Sequence, residues 1–282
     1  MKQYLLLTLT CLCLLPLEAQ TVFNKLIPLE FPVSRFMSVL PTDTSYYIIG
    51  TFTDSLFRAG AMWGKTDLEG DLLSLTTFRH PERDYFNDYG DIRSTEDGFL
   101  YNAGSYNESP NTEIIFYLYN QEGDTLLTRR FKSILYPSAN FVVPINIYQR
   151  KNGGYAIVAV HDTSENPENS EISFLLIDSN YLVEAYLDYA HSPNHEIPNS
   201  LLLDEDDGYI IGAERTNEGQ VFNNFENRTL LIKTDSLGNQ QWQWLSPEGV
   251  LQDGAHAMIK TPDGGLVVAS GQGIEWGTNP NY

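Results

Sequence analysis

Short apolar runs alternate with acidic, glycine-closed clusters along this chain, and the alternation repeats. Its clearest copy runs Ser200 to Gly212 and then Thr229 to Trp242: apolar run, Asp-rich turn, apolar run, written twice. First hairpins are predicted at Met37–Thr51, Asp91–Ser105, Asn146–Val160, Ser200–Ala213 and Ala257–Gly271. Second hairpins follow at Met62–Phe78, Ile114–Phe131, Phe174–Tyr189 and Leu230–Leu245. The turn positions Ser45, Gly98, Gly154, Gly208 and Gly265 are 53 to 57 residues apart. Asp, Asn and Gly accept the positive φ of a tight hairpin, and the flanking Tyr, Ile, Val and Leu favour strands. No apolar set recurs at three- and four-residue spacing for long enough to make a helix. Polar segments at Tyr106–Thr112, Asp162–Ser170 and Thr216–Asn227 read as loops.

Four short strands in a period of this length are the signature of a β-propeller blade. The expected fold is therefore all-β, a propeller or open propeller arc of four to five four-stranded blades, with a solenoid of stacked hairpins as the structural rival. Residues 20–282 carry the repeats and the last copy is incomplete; the segment Val22–Phe31 offers a strand that could complete it. Residues 1–19 read as a secretory signal: Lys2, an apolar stretch from Leu5 to Leu15, and Leu17-Glu18-Ala19 before a cleavage point at Gln20. That stretch is too short to span a bilayer, so no membrane insertion is expected.

Export changes how the composition is read. Both cysteines, Cys11 and Cys13, lie inside the signal, which excludes disulfides and thiolate-held metal in the mature chain. Against 17 Lys and Arg stand 37 Asp and Glu, a formal charge of −20. Such a surface repels nucleic acid, whose phosphates need clustered cations.

The segments Leu231 to Trp242 and Ile259 to Gly271, with their Lys-Thr-Asp-Ser-Leu-Gly-Asn and Pro-Asp-Gly-Gly turns, resemble the blade repeat of secreted bacterial β-propeller proteins of the Bacteroidota type. The likeness covers nearly all of the mature chain, most closely in the last two copies. It implies a protein that is secreted, periplasmic or on the cell surface, and it assigns no chemistry.

The candidate chemistry is sparse. Asp235 to Gly238 with Trp242 is similar to the Asp-box of sialidase-like propellers, but at longer spacing; an Asp-Gly hairpin turn with an aromatic packed between blades accounts for it. His191 and His195 stand four apart, yet Pro193 and Pro198 exclude a helix and the zincin order is absent. His161-Asp162 is isolated in the sequence. Neither a nucleophile elbow nor a phosphate loop occurs, so no cofactor and no metal are expected. Glu82, Asp84, Asp88 and Asp91 cluster with Tyr85, Phe86 and Tyr89, the residue types glycoside cleavage and sugar binding use. Asp204 to Asp207 reads as an acidic turn.

In a propeller the innermost strands bring equivalent positions around one axis. If the first strand of each copy is innermost, Arg35, Asp88, Asn146, Asn199 and His256 open onto the channel and would bind a polar ligand. The function expected is a non-catalytic binding or scaffold module for a protein or an extracellular glycan. A carbohydrate-active hydrolase or lyase using Asp88 and Asp91 is the alternative.

Overall fold

The computed structural model describes residues 27–87, 91–108, 111–132, 142–163, 166–189, 195–216, 227–247 and 252–272. They are all-β, and the sheets are blades of a propeller. Blade 1 is β1 (Val33–Pro41), β2 (Tyr46–Thr53), β3 (Ala59–Thr66) and β4 (Leu72–Phe78), antiparallel and in sequence order from the inside outwards. Blade 2 contains β5 (Asp84–Phe86), β6 (Arg93–Ser94), β7 (Leu100–Glu108), β8 (Asn111–Tyr119) and β9 (Thr125–Phe131). Here β5 and β6 both pair with β7, so the inner strand is split in two. Blade 3 is β10 (Val142–Gln149), β11 (Tyr155–Thr163), β12 (Asn166–Ile177) and β13 (Val183–Asp188). Blade 4 is β14 (His195–Leu203), β15 (Tyr209–Thr216), β16 (Arg228–Thr234) and β17 (Gln240–Leu245). The fifth copy contributes one hairpin, β18 (Gln252–Lys260) and β19 (Leu266–Gln272).

Hairpin chemistry sets these elements. In the outer turns a leading Asp or Asn side chain accepts backbone N–H groups from within its own turn: Asp178 from Asn180 and Leu182, Asp235 from Leu237 and Asn239, Asn120 from Glu122 and Asp124. The fourth turn residue then takes positive φ, as Gly70, Gly123 and Gly238 do, and Tyr181 in blade 3. In the inner turns positive φ falls on Gly98, Gly153, Asp207 and Gly264. The glycines that follow in two of these turns serve another purpose: a Cβ on Gly154 or Gly208 would sit 2.1 Å from a carbonyl oxygen of the strand beside it.

Where two blades meet, the facing sides of both sheets are apolar and buried. Tyr47, Ile49 and Trp63 of blade 1 pack on Ile115, Tyr117 and Tyr119 of blade 2. Phe116 of blade 2 meets Tyr155 and Ile157 of blade 3, and Phe174 and Leu176 of blade 3 meet Ile211 and Ile232 of blade 4. Met258 and Ala255 close on Ile210 and Leu231.

Several boundaries differ from those expected. The inner strands start four or five residues earlier, at Val33, Val142, His195 and Gln252, because Pro144 and Pro198 stand at β-bulges, where a missing N–H is tolerated. The expected loops at Tyr106–Thr112 and Asp162–Ser170 are largely strand, since β7 and β8, and β11 and β12, run further into their hairpins. Of the proposed strand Val22–Phe31, residues 27–31 are described and carry none; Phe31 stacks on Phe52 of blade 1, ring centroids 4.0 Å apart. The signal segment lies outside the described residues. No helix of the structure is long and apolar enough to cross a membrane.

Candidate functional site

Every complete inner strand carries a bulge at one register, between Phe36 and Ser38, between Pro144 and Asn146, and between Pro198 and Ser200; the fifth hairpin is irregular between Asp253 and Ala257. Bulges re-aim a side chain and bend the strand. The residue just past the bulge lies three ladder positions beyond the turn: Ser38 pairs with Ile49, Asn146 with Val158, Ser200 with Gly212 and Ala257 with Ala269. Counting back from the Ser94–Leu100 pair puts Asp91 at the same register in blade 2.

These equivalent positions link adjacent blades. The Ser38 hydroxyl donates to Asp91 Oδ1 at 3.1 Å and accepts the Ile92 N–H. Arg93 donates to Asp91 Oδ2 at 2.7 Å and to Asn146 Oδ1 of blade 3 at 3.2 Å, with its guanidinium carbon 3.7 Å from the ring centre of Tyr148. Ser200 donates to the Ala255 carbonyl of the fifth hairpin at 2.6 Å. The Asp91 side chain is 37% exposed, so a carboxylate is held in a fixed orientation while still reaching solvent.

Four of the five residues singled out from the sequence lie on innermost strands: Arg35 on β1, Asn146 on β10, Asn199 on β14 and His256 on β18. They do not share one register. Asn199 falls on the bulge, His256 lies within the irregular stretch, Asn146 is one position later, and Arg35 precedes its bulge. Asn146 and Asn199 are partly buried; Arg35 and His256 are exposed. Asp88 lies outside the described residues. Asp91 is the blade 2 residue at the linking register, and the bulges are what sequence spacing alone does not reveal.

A second feature lies on blade 2, on the face that turns toward blade 1. Pairing of Tyr85 with Tyr106, and of Tyr106 with Glu113, lays these side chains in one row across blade 2, with Arg130 next to it opposite Ile115. A cleft of about 480 Å³ is lined there by Arg83, Arg129, Arg130 and Lys132 together with this row. Arg83 donates to the Tyr106 hydroxyl, and the guanidinium of Arg130 stands 4.7 Å from the Tyr106 ring centre. Arg130 and Lys132 flank the buried Glu113 carboxylate at 3.6 and 3.4 Å. Burial and the neighbouring Tyr106 raise the pKa of the Tyr85 phenol, against the pull of Arg130 and Arg83. Four cations against one carboxylate make this a basic cleft on a strongly acidic protein.

Other sequence candidates resolve into structure. Lys233 and Lys260 bridge to Asp204, and Asp206 bonds Lys233, so the acidic turn is an ion-paired staple. Trp242, expected between blades, is 44% exposed with Trp244 at 47%, because the fifth hairpin covers only the inner strands of that blade 4 face. His195 Nδ1 accepts the Ser170 N–H, and His191 lies outside the described residues. Sequence reading left His161 isolated, whereas the fold brings it to Glu171 and Asp188.

No family model matches the chain, and no curated protein is similar to it in sequence. Its fold is shared with solved structures. An endo-arabinase from Bacteroides thetaiotaomicron superposes with a TM-score of 0.50 at 13% identity, over 84% of this chain and 88% of that one. A thermostable family-43 glycoside hydrolase gives 0.49 at 14% identity over 85% of each chain. A mannose phosphorylase from Leishmania mexicana gives 0.48 at 11% identity, over 84% and 79%.

Proposed function

We propose that this propeller is a carbohydrate-active protein of the extracellular space that takes an acidic glycan. The observation carrying the reading is the basic cleft on blade 2. Arg83, Arg130 and Lys132 present charge-assisted donors suited to a carboxylate or sulfate, and Tyr85 gives a partly exposed ring for an apolar sugar face. In a molecule of formal charge −20, only such a local cluster offsets the repulsion of an anionic chain. The fold likeness to an endo-arabinase makes carbohydrate the ligand class to test first.

That likeness also favours hydrolysis over a passive scaffold. Glycoside cleavage uses two carboxyl groups. Asp91, oriented by Ser38 and Arg93 and open to solvent, supplies one on the inner face of blade 2. Asp88, three residues earlier, is the second we assign. The mature protein begins near Gln20 in this reading, and intact-mass analysis of protein from a secreting host checks it.

The test uses uronate-bearing and sulfated oligosaccharides beside neutral ones, with binding read by calorimetry and turnover by reducing-end release. Acidic oligosaccharides should bind and neutral ones should not. Arg130→Ala should weaken binding about tenfold or more, the order expected for one charge-assisted contact. Asp91→Asn should abolish turnover while leaving binding in place. Binding without turnover in the unaltered protein would return the non-catalytic reading. Equal affinity for neutral and acidic glycans, or for Arg130→Ala and the unaltered protein, would remove the cleft from the account.

A further inference from the structure

Blade 3 holds a buried cluster that neither the channel network nor the basic cleft uses. His161 on β11 pairs with Glu171 on β12, and Ser173, two residues along β12, pairs with Asp188 on β13. Side chains alternate along a strand, so these four project from one face, the face that Ile157 and Ala159 bury against blade 2. His161 is fully buried, Glu171 is 5% exposed, and the Asp188 side chain reaches only 11%. His161 Nε2 stands 3.6 Å from Glu171 Oε2 and 4.0 Å from Asp188 Oδ2, and the three ligating atoms lie within 4.8 Å of one another. Both distances are too long for a hydrogen bond.

The other ring nitrogen fixes the orientation. His161 Nδ1 lies 2.7 Å from Ser173 Oγ, which also accepts the Tyr186 hydroxyl at 3.1 Å. In the tautomer that carries its proton on Nδ1, donated to Ser173, the Nε2 lone pair faces the two carboxylates, which is the form a metal-bound imidazole takes. Metal-binding histidines are commonly held in this way through the second nitrogen. Two carboxylates and an imidazole nitrogen converging on one buried space are a donor set that a divalent cation of the transition series accepts.

We propose that His161, Glu171 and Asp188 bind a divalent cation of the zinc or manganese class. Ligands held 2.0–2.2 Å from a tetrahedral ion lie about 3.4 Å apart, so the His161 contacts at 3.6 and 4.0 Å, in a set whose ligating atoms lie within 4.8 Å of one another, close onto an ion by side-chain movements of about an ångström or less. An imidazole ligand in a set of three fits this class better than calcium, which takes six to eight oxygens. The site is enclosed and stands on the second, third and fourth strands, away from the channel. Its role is structural: it ties β11, β12 and β13 together at the end of the blade where β11 turns into β12.

The test strips the purified mature chain with a chelator, dialyses it, and titrates it with zinc chloride and separately with manganese chloride. One equivalent should bind, and with zinc at about 100-fold over Kd the thermal midpoint should rise by about 5 °C. Glu171→Gln and Asp188→Asn change charge at nearly constant shape and should each lower affinity at least about tenfold. Tyr186→Phe keeps all three ligands and removes only the support on Ser173; it should weaken binding by about tenfold without loss of fold. No bound metal and no shift with either ion would overturn the assignment. So would unchanged zinc affinity in both amide variants, or an imidazolium signal from His161 at neutral pH that zinc does not displace, since the cluster would then be an internal ion triad.

Discussion

The Tyr189 hydroxyl of blade 3 donates to the Gly238 carbonyl of blade 4 at 2.6 Å, and the turn glycine itself rests on the same blade 3 surface. Gly238 has φ of +86°, and a Cβ there would lie 2.1 Å from Leu187 Cδ1. The turn that ends a hairpin in one blade therefore docks on the blade before it, as Gly123 does on Trp63.

Gly238→Ala should lower stability by at least about 1–2 kcal/mol from the left-handed backbone alone, and the overlap with Leu187 adds to it. Tyr189→Phe should cost about 1 kcal/mol, the worth of one buried hydrogen bond. Urea unfolding of both variants checks the order; a Gly238→Ala protein as stable as the unaltered one would refute docking through this turn.

Asp204 should act as an acid-sensitive staple between blade 4 and the fifth hairpin. Burial pushes its pKa up, but hydrogen bonds from Lys233 and Lys260 outweigh this and bring it to about 2. A depressed carboxylate pKa stabilises the fold above the unfolded value near 3.9 and loses that contribution as pH falls toward 2. Asp204→Asn should therefore cost about 1–2 kcal/mol at neutral pH after allowance for screening by solvent, and almost nothing near pH 2. A pH series of urea midpoints for the two proteins measures the difference.

Alkali should unfold the protein cooperatively. Burial raises the phenol pKa of Tyr117 and Tyr119 well above the ordinary value of 10.0, and raises those of Tyr155 and Tyr189 as well. The unfolded chain releases these protons near pH 10, so stability is present below that pH and falls as the pH rises beyond it. Tyrosinate absorbance from these rings should appear only together with loss of the strand circular-dichroism signal. A titration of all tyrosines near pH 10 with the fold intact would contradict their burial.

Binding of an acidic glycan at the basic cleft should weaken with salt. Arg130, Lys132 and Arg129 stand at the surface, within reach of counterions. Raising salt from about 0.01 M to 0.15 M shortens the screening length from about 30 Å to 8 Å and should reduce affinity several-fold. Neutral-salt titrations by calorimetry read this directly, and salt-independent binding would place the ligand elsewhere.

Much of the fold is legible in the chain because its information is local. An Asp that binds its own turn, a residue that takes positive φ, and an apolar run two strands long can all be read from adjacent residues. The same local logic holds where side chains substitute for one another: positive φ falls on Asp207 and Tyr181 at the turn positions that glycine takes in other blades, and no local residue type marks them in advance.

The sequence by itself determined the repeat, the strand chemistry and the acidic balance, since period, alternation and charge are properties of residues in order. The tertiary structure alone decided which side chains meet. Bulges beside Pro144 and Pro198 shift the inner strands by one residue, and every channel position past them depends on that shift. Asp91 reaches Ser38, fifty-three residues away, and Arg93 reaches Asn146 at the same separation, because successive blades lie side by side. His161, Glu171 and Asp188 converge because three strands pair in one register. Contacts of this kind are fixed by packing between strands distant in sequence, and no local pattern of residue types encodes them.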